Sequence, residues 1–284
     1  MKTPSETKIL TTSNYTAMLT LDFFNERLRV IDFRGNVLSI VNDIQDLFNE
    51  HALSKMIFHC RPEHWKLLLS FGFELEAIFQ GFFNGTDNYA MALYKSVERR
   101  TNNNWIKEDQ ILTSILNTGR NQIAIKDIPE IYQYRKAIVR DAESLAMLYE
   151  QVFPIYPTPM NDPNYVKKVM IEGAIFYIVE CNKQIVSAAS ADVNKTYNHA
   201  ELTDCATAPE HRKYGLMKKL LIMLEDDLKN EQIFCVFSIA RSLSFGMNAA
   251  FYQLGYEYRG RMANNCYIYH ALEDMNVWVK DLSK

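Results

Sequence analysis

Residues 200–221 bring together the side chains most able to do chemistry in this 284-residue chain. Glu201 and Asp204 lie on a short run of strand-like character that ends near Thr207, and Pro209 marks a turn. Arg212 and Gly215 then open an amphipathic helix carrying Leu216, Leu220, Leu221, Leu224 and Leu228. A helix N-terminus concentrates unsatisfied N–H groups and partial positive charge, so it attracts anions. Arg212, Lys213, Lys218 and Lys219 crowd that same end. Cations there oppose the helix dipole and cost stability unless a polyanion arrives to meet them. The segment therefore predicts a pyrophosphate seat built from Arg212, Lys213, Tyr214, Gly215, Leu216, Met217 and Lys218, beside a strand that carries two carboxylates. An ordinary surface helix with a basic first turn is the plainer alternative.

Composition narrows the setting. The chain is 48% hydrophobic and 23% charged with net charge −3, which gives no electrostatic reason to expect nucleic acid. Cys60, Cys181, Cys205, Cys235 and Cys266 are scattered without a C-x-x-C pair. They read as reduced thiols and not as a disulfide frame or zinc site. The histidines show no metal-ligand spacing, so no metal is expected. The polar N-terminal segment leads into no signal-like apolar stretch, and no apolar run approaches the ~20 residues that span a bilayer. These features predict a cytoplasmic protein without a membrane partner.

The elements that must position the chemistry follow from periodicity and breakers. Residues 97–133 are polar and helix-prone and read as a connector between a domain at 1–96 and a second at 134–284. In the second, a strand at Ala137–Val139 is expected, then a helix capped by Asp141 with Leu145, Leu148, Tyr149 and Val152 on one face. A Pro-rich loop carrying Tyr156 follows, and Asp162-Pro163 starts another helix. Strands are expected at Ala174–Glu180, at Ile185–Val193 and up to Thr207. After the basic helix come a strand at Ile233–Ala240, a helix at Met247–Leu254 stopped by Gly255, and strands at Tyr256–Met262 and Cys266–His270. In the first domain, Lys55–Cys60 reads as a strand and Glu63–Ser70 as a helix, followed by two strands ending near Tyr94. That order echoes the end of the second domain, so a degenerate half-repeat and an unrelated α+β accessory domain both stay open. No Arg-x-x-Gly opens a helix there, and no cofactor is expected in that half.

Arg212 and Gly215 fit the pattern Arg/Gln-x-x-Gly-x-Gly/Ala. With the order β-α-α-β-β-β-α-β-α-β-β, residues 134–284 resemble the GNAT superfamily of acetyl-CoA-dependent N-acetyltransferases. Met217 replaces the last small residue of that pattern, and Lys213 the Gly that often follows the Arg. The resemblance implies an α/β (α+β) fold, with a central, mixed but mostly antiparallel sheet flanked by helices. A narrower resemblance is to the β-lysine N6-acetyltransferase family. It is carried by Leu148–Met160, Ala188–Asp192, Ala200–Asp204, Ala240–Asn248, Gly255–Gly260, Asn264-Asn265 and Met275–Lys280. It implies acetyl transfer from acetyl-CoA to the terminal amine of 3,6-diaminohexanoate, whose product serves as a compatible solute in some members. Another small amine or diamine as acceptor, a non-catalytic acetyl-CoA sensor, and a homodimer all stay open.

Acetylation of an alkylamine faces one difficulty: with a pKa of about 10.4 the amine is almost wholly protonated and not nucleophilic. A base must remove a proton next to the thioester. Glu201 is expected in that role, because the resemblance places the superfamily's catalytic glutamate on this strand. Asp204, three residues on, belongs to the opposite face unless a β-bulge returns it, as base or as a holder of the ammonium group. The backbone of Cys205, Ala206 and Thr207 is expected to pair with the pantetheine arm. The resemblance also implies a tyrosine general acid four residues before Gly255; that position holds Phe251, leaving Tyr252, one residue on, as the candidate. For the acceptor, Arg241 is expected to clamp the carboxylate. Asn264, Asn265 and Tyr156 are expected to line the site, with Ser190 and Asn248 as further candidates.

Overall fold

The computed structural model describes residues 5–120 and 128–284. Its strands are β1 Glu6–Thr11, β2 Tyr15–Asp22, β3 Arg27–Gly35, β4 Lys55–Cys60, β5 Glu74–Phe83, β6 Thr86–Tyr94, β7 Tyr132–Lys136, β8 Ile175–Cys181, β9 Gln184–Asn194, β10 His199–Thr207, β11 Cys235–Arg241, β12 Glu257–Ile268 and β13 Ala271–Asp281. The helices are α1 Val37–Glu50, α2 Trp65–Ser70, α3 Val97–Arg100, α4 Trp105–Asn117, α5 Ala142–Val152, α6 Pro163–Ile171, α7 Leu216–Asn230 and α8 Phe245–Gln253. All the strands join one sheet in the order β1-β2-β3-β4-β6-β5-β12-β13-β11-β10-β9-β8-β7. Only β3 with β4 and β10 with β11 pair in parallel. Each parallel pair is joined through a long helix, α1 or α7, as a parallel crossover requires. No described helix is long and apolar enough to cross a membrane.

Alternation along the strands assigns the faces. Leu28 and Val30 of β3 are buried against α1, and Ala200 and Leu202 of β10 against α7. The residues between them, Arg29 and Glu201, therefore share the other face. On that face Ile57, Ala77, Phe79 and Phe82 of the first half form one apolar cluster with Phe237, Met262, Met275 and Val277 of the second. The sheet curls so that its two halves meet again beyond this cluster. The Phe82 ring stacks on His199 at 3.8 Å, and Asn84 Nδ2 donates to the Thr196 carbonyl at 3.0 Å. The Tyr197 hydroxyl donates to Asp32 on β3.

Some expected elements shift. The strand expected at Ala137–Val139 lies earlier, at Tyr132–Lys136, across the boundary expected between connector and second domain at 133/134. Ile138 and Val139 are exposed, and the Asp141 carboxylate folds the chain there by accepting from Ile138 N at 2.8 Å and from Arg135 at 2.7 and 2.8 Å. Asp141 thus makes no side-chain cap bond to α5, whereas Asp162 caps α6 through Asn164 N as expected. The rest of the connector contains α3 and α4, with 121–127 outside the described residues. The strands expected at Tyr256–Met262 and Cys266–His270 are one long strand, β12, bulged between Met262 and Cys266. Asn264 sits in the bulge at φ 41°, a left-handed backbone that Asn tolerates and that reads from sequence as a turn. Residues 275–280, for which no element is placed from sequence, belong to the last strand, β13.

The halves join where β5 meets β12 at Ala77 and Gly260. Gly260 has φ +135°, and a Cβ there would lie 2.1 Å from the Glu76 carbonyl oxygen and 2.6 Å from Ala77 Cα. Gly173 has φ +112° with open space around it. Gly173→Ala should therefore cost only backbone strain, about 1–3 kcal/mol. Gly260→Ala must also push the β5 and β12 backbones away from each other, and its urea-unfolding midpoint should fall well below that of the Gly173 variant. Equal midpoints would show that the junction yields freely.

Candidate active site

β10 pairs with β11 only over His199–Glu201, opposite Cys235–Phe237. Both strands continue, so they diverge directly after Glu201 and leave a fork. On its other edge β10 stays paired with β9, with a register shift between Thr203 and Ala206. Asp204 lies in that bulge at φ 48°. The bulge brings its side chain to Ser190 Oγ, which donates to Oδ2 at 2.7 Å, and to the Tyr156 hydroxyl, which donates to Oδ1 at 3.1 Å. The Tyr149 hydroxyl donates to the Asp204 carbonyl at 2.7 Å and braces the bulge from α5. Burial holds the Asp204 carboxyl above the usual carboxylate range, against the pull of Ser190 and Tyr156. Burial also drives the Cys205 thiol far up, aided by the Asp204 and Glu201 charges, so it is no nucleophile at neutral pH.

Beyond the fork, the chain turns through Lys213 at φ 78° and Gly215 at φ 74° into α7. Gly215 is the N-cap residue, and no side chain caps this end. The first turn holds no acidic residue, so its N–H groups face outward beside Lys218 and Lys219. A Cβ on Gly215 would meet nothing within 4 Å, which leaves room for a ligand to approach the backbone. Arg212 Nε donates to the Thr207 carbonyl at 3.1 Å and ties the turn to the end of β10. Tyr214 is exposed, against Tyr132. Leu216 is buried and Met217 packs at the edge of the same core. Uncapped N–H groups, basic side chains and the open fork fit a coenzyme A diphosphate and its pantetheine arm.

At the base of the fork, Asp192 of β9 stands directly across from Glu201. Like charges directly opposite on an antiparallel pair repel. The Glu201 carboxyl is pushed up to about 8 by burial, then by Asp192 and Asp204, while Arg29 and Arg27 pull it back. Asp192 is raised to about 7 by burial and by Asp204. The two carboxylates line a cavity of about 420 Å3 with His199, Phe237 and the turn at 193–196. The His199 Nδ1–H faces the Phe82 carbonyl at 2.8 Å, and burial keeps the ring neutral. The site can thus gather negative charge around a cationic guest and then accept a proton from it.

Other expected site residues lie in bonds of their own. Arg241 forms a two-pronged pair with Glu273 at 2.6 and 2.7 Å and stacks on Tyr269, so its guanidinium is spent on structure. Asn264 donates to the carbonyls of Glu98, Arg99 and Thr101 and anchors α3 to the β12 bulge. The Asn265 carbonyl accepts from Arg27 at 2.9 Å, while its side-chain oxygen is buried without a partner. Asn248 bonds Asn276 and Trp278 inside the fold. The Tyr252 hydroxyl donates to the Leu116 carbonyl at 3.1 Å, toward α4. Sequence reasoning missed Asp192 and Arg29. Strand register exposes the first; the second becomes visible only once the sheet curls.

Residues 142–256 match the family described as Acetyltransferase (GNAT) family. Over its length the chain is similar to the N-acetyltransferase YodP of Bacillus subtilis, with 38% identity over 278 residues, covering 97% of this chain and 99% of that protein. It is 33% identical over 271 residues to the Beta-lysine N(6)-acetyltransferase of Methanosarcina mazei, covering 89% of this chain and 100% of that protein. The Beta-lysine N(6)-acetyltransferase of Methanococcus maripaludis is 30% identical over 264 residues, covering 93% and 96%. With its forked strands, bulge and uncapped basic turn, the chain belongs to the GNAT family of acetyl-CoA-dependent N-acetyltransferases, in the group that includes the β-lysine N6-acetyltransferases.

Proposed function

We propose that the chain acetylates the terminal amine of β-lysine (3,6-diaminohexanoate), with Glu201 as the base. The observation that carries this reading is the set of three carboxylates, Glu201, Asp192 and Asp204, gathered where β10 and β11 diverge. Three clustered carboxyl groups, each of which gains a negative charge more readily beside a cation, suit an acceptor that brings two ammonium groups. The relatives named for β-lysine support the same acceptor. Acetyl-CoA supplies the acyl group on an activated thioester; what remains for the protein is to seat it, hold the acceptor and move one proton.

Proton removal is where the raised carboxyl matters. Transfer from an amine of pKa about 10.4 to an ordinary glutamate of about 4.3 is uphill by about 8 kcal/mol. With the Glu201 carboxyl near 8 the gap shrinks to about 3 kcal/mol. The cost is that Glu201 is ionised in only about a tenth of molecules at pH 7, the usual compromise of general-base catalysis. Asp204, held by Ser190 and Tyr156, is the second carboxylate for the ammonium group, and Tyr156 reaches the acceptor through it. In this reading the backbone of Cys205–Thr207 in the fork meets the pantetheine arm, and the turn at 212–218 meets the diphosphate. With Tyr252 engaged by Leu116, the thiolate departs without a tyrosine acid. The five cysteines stand as free thiols, which supports a cytoplasmic setting.

The acceptor is tested by mass analysis of products from β-lysine, α-lysine and polyamines; equal kcat/KM on all three would defeat the β-lysine reading. For the base, kcat/KM should rise with pH through about 8 as the Glu201–Asp192 pair loses its proton. Asp192→Asn removes a like charge, so that rise should move to lower pH. Glu201→Gln should cut kcat by about 10²–10⁴ without altering acetyl-CoA affinity. A pH profile untouched by either change would remove Glu201 from the role. At the turn, Gly215→Val forces a β-branched residue to φ +74° and should weaken acetyl-CoA binding by about tenfold or more, beside a backbone-strain cost to stability of about 1–3 kcal/mol. Unchanged affinity in a calorimetric titration would free the turn from any role in the seat.

A further inference from the structure

Arg241 leaves the acceptor carboxylate without a clamp, and another guanidinium stands unengaged on the face that carries Glu201. Arg29 lies between two residues buried against α1, so strand alternation turns it toward the opposite face. Its charge interacts with those of Glu201 and Asp22, and it is opposed by Arg27. Its Nε is buried with no hydrogen-bond partner. Among the described residues, no side-chain hydrogen bond or ion pair engages this guanidinium. Its neighbours differ. Arg27 is paired with Asp22 at 2.8 Å and donates to Asn265, and Arg61 is paired with Asp32 at 2.7 Å. Burial pulls the Arg29 pKa down to about 10, the mark of a cation that has lost water without gaining a full counter-charge. Arg29 and Glu201 feel each other's charge yet form no ion pair, so their charged groups stand apart, beyond ion-pair distance. Carboxylate and terminal amine of 3,6-diaminohexanoate lie about 7–8 Å apart when extended, from six bonds of about 1.5 Å.

We propose that Arg29 binds the carboxylate of the acceptor, so that the first half of the chain selects amino acids over simple diamines while Glu201 of the second half acts on the far amine. This deepens the reading of the Glu201 site and rests on it. A planar guanidinium suits a carboxylate because it can make two parallel hydrogen bonds. The clamp comes from β3, seven strands away from β10 in the sheet order, and it acts at Glu201 only because the sheet curls.

The test compares β-lysine with its decarboxylated counterpart, 1,4-diaminopentane, on the full-length chain. Wild type should favour β-lysine. Arg29→Met should raise KM for β-lysine by about 10- to 100-fold and leave KM for 1,4-diaminopentane unchanged, each read at the variant's own pH optimum because Arg29 also lowers the Glu201 carboxyl. Arg29→Lys, which keeps the charge, should fall between. Acetyl-CoA titration checks that each variant is folded; if the Met variant is not, the Lys variant alone must show a loss confined to the carboxylate-bearing acceptor. Should α-lysine prove the better acceptor, the β-lysine reading fails, and Arg29 is judged on α-lysine against 1,5-diaminopentane. Equal losses on both members of a pair, an unchanged preference, or a wild type that turns over no carboxylate-bearing amine would overturn the assignment.

Discussion

The repulsion between Asp192 and Glu201 is the constraint from which the rest of the site follows. Two carboxylates directly across an antiparallel pair, with Asp204 close by, would be a defect in a purely structural strand. Crowding of the three carboxylates favours their protonated forms, the sense in which Asp192 is pushed up to about 7 and Glu201 to about 8. A cationic amine relieves that repulsion on entry, so ligand binding and proton transfer draw on the same electrostatic strain. The strands must also diverge at this point and no earlier. A ladder that continued past Glu201 would fill the fork with β11 backbone, and one that stopped sooner would release the strand that holds Glu201.

Keeping such a site in place demands rigid walls, and these come from both halves. The bulge at Asp204 is braced by Tyr149, Tyr156 and Ser190, from α5, the following loop and β9. The aromatic stack of Phe82 on His199 closes the other side, where the β5–β6 hairpin leans onto the turn between β9 and β10. Gly260 lets β12 and β5 approach closely enough to make the sheet continuous. Lys55 lies fully buried near that junction, paired with Glu76 and donating to the Ala263 carbonyl at 2.8 Å. Losing either partner would strand a charge in the core, so the pair fixes how the halves meet.

How far the sequence could be read depended on the range of the interaction behind each feature. The α7 stripe of Leu216, Leu220, Leu221, Leu224 and Leu228, the Asp162-Pro163 start and the Gly255 stop are local, and each lies where periodicity and capping rules put it. The fork-side order of elements was likewise legible. The type of Arg241 suits a carboxylate clamp, while its actual partner, Glu273, lies on β13, a strand for which no element is placed from sequence. The Asn264-Asn265 pair looked like a turn because a bulge and a turn call for the same left-handed backbone. Asp192 required strand register, and Arg29 required curvature over many strands. Neither is encoded within a window of neighbouring residues.

The two halves divide their work along that same line. In the proposed reading, the anion seat, the fork and the base all arise within residues 192–230 and so could be sensed from short-range pattern. In that reading, selection among amines needs a second charged group at a fixed distance from the base, and the strand–turn–helix unit holds its own cations at the turn. Bringing in β3 through a curled sheet solves this with an element that shares no local sequence with the chemistry. Its Arg29 also offsets some of the negative charge that raises Glu201. On the proposed assignments acceptor choice and base strength are linked: a carboxylate that neutralised Arg29 would withdraw its stabilising influence on ionised Glu201, making the base stronger when the correct acceptor is bound.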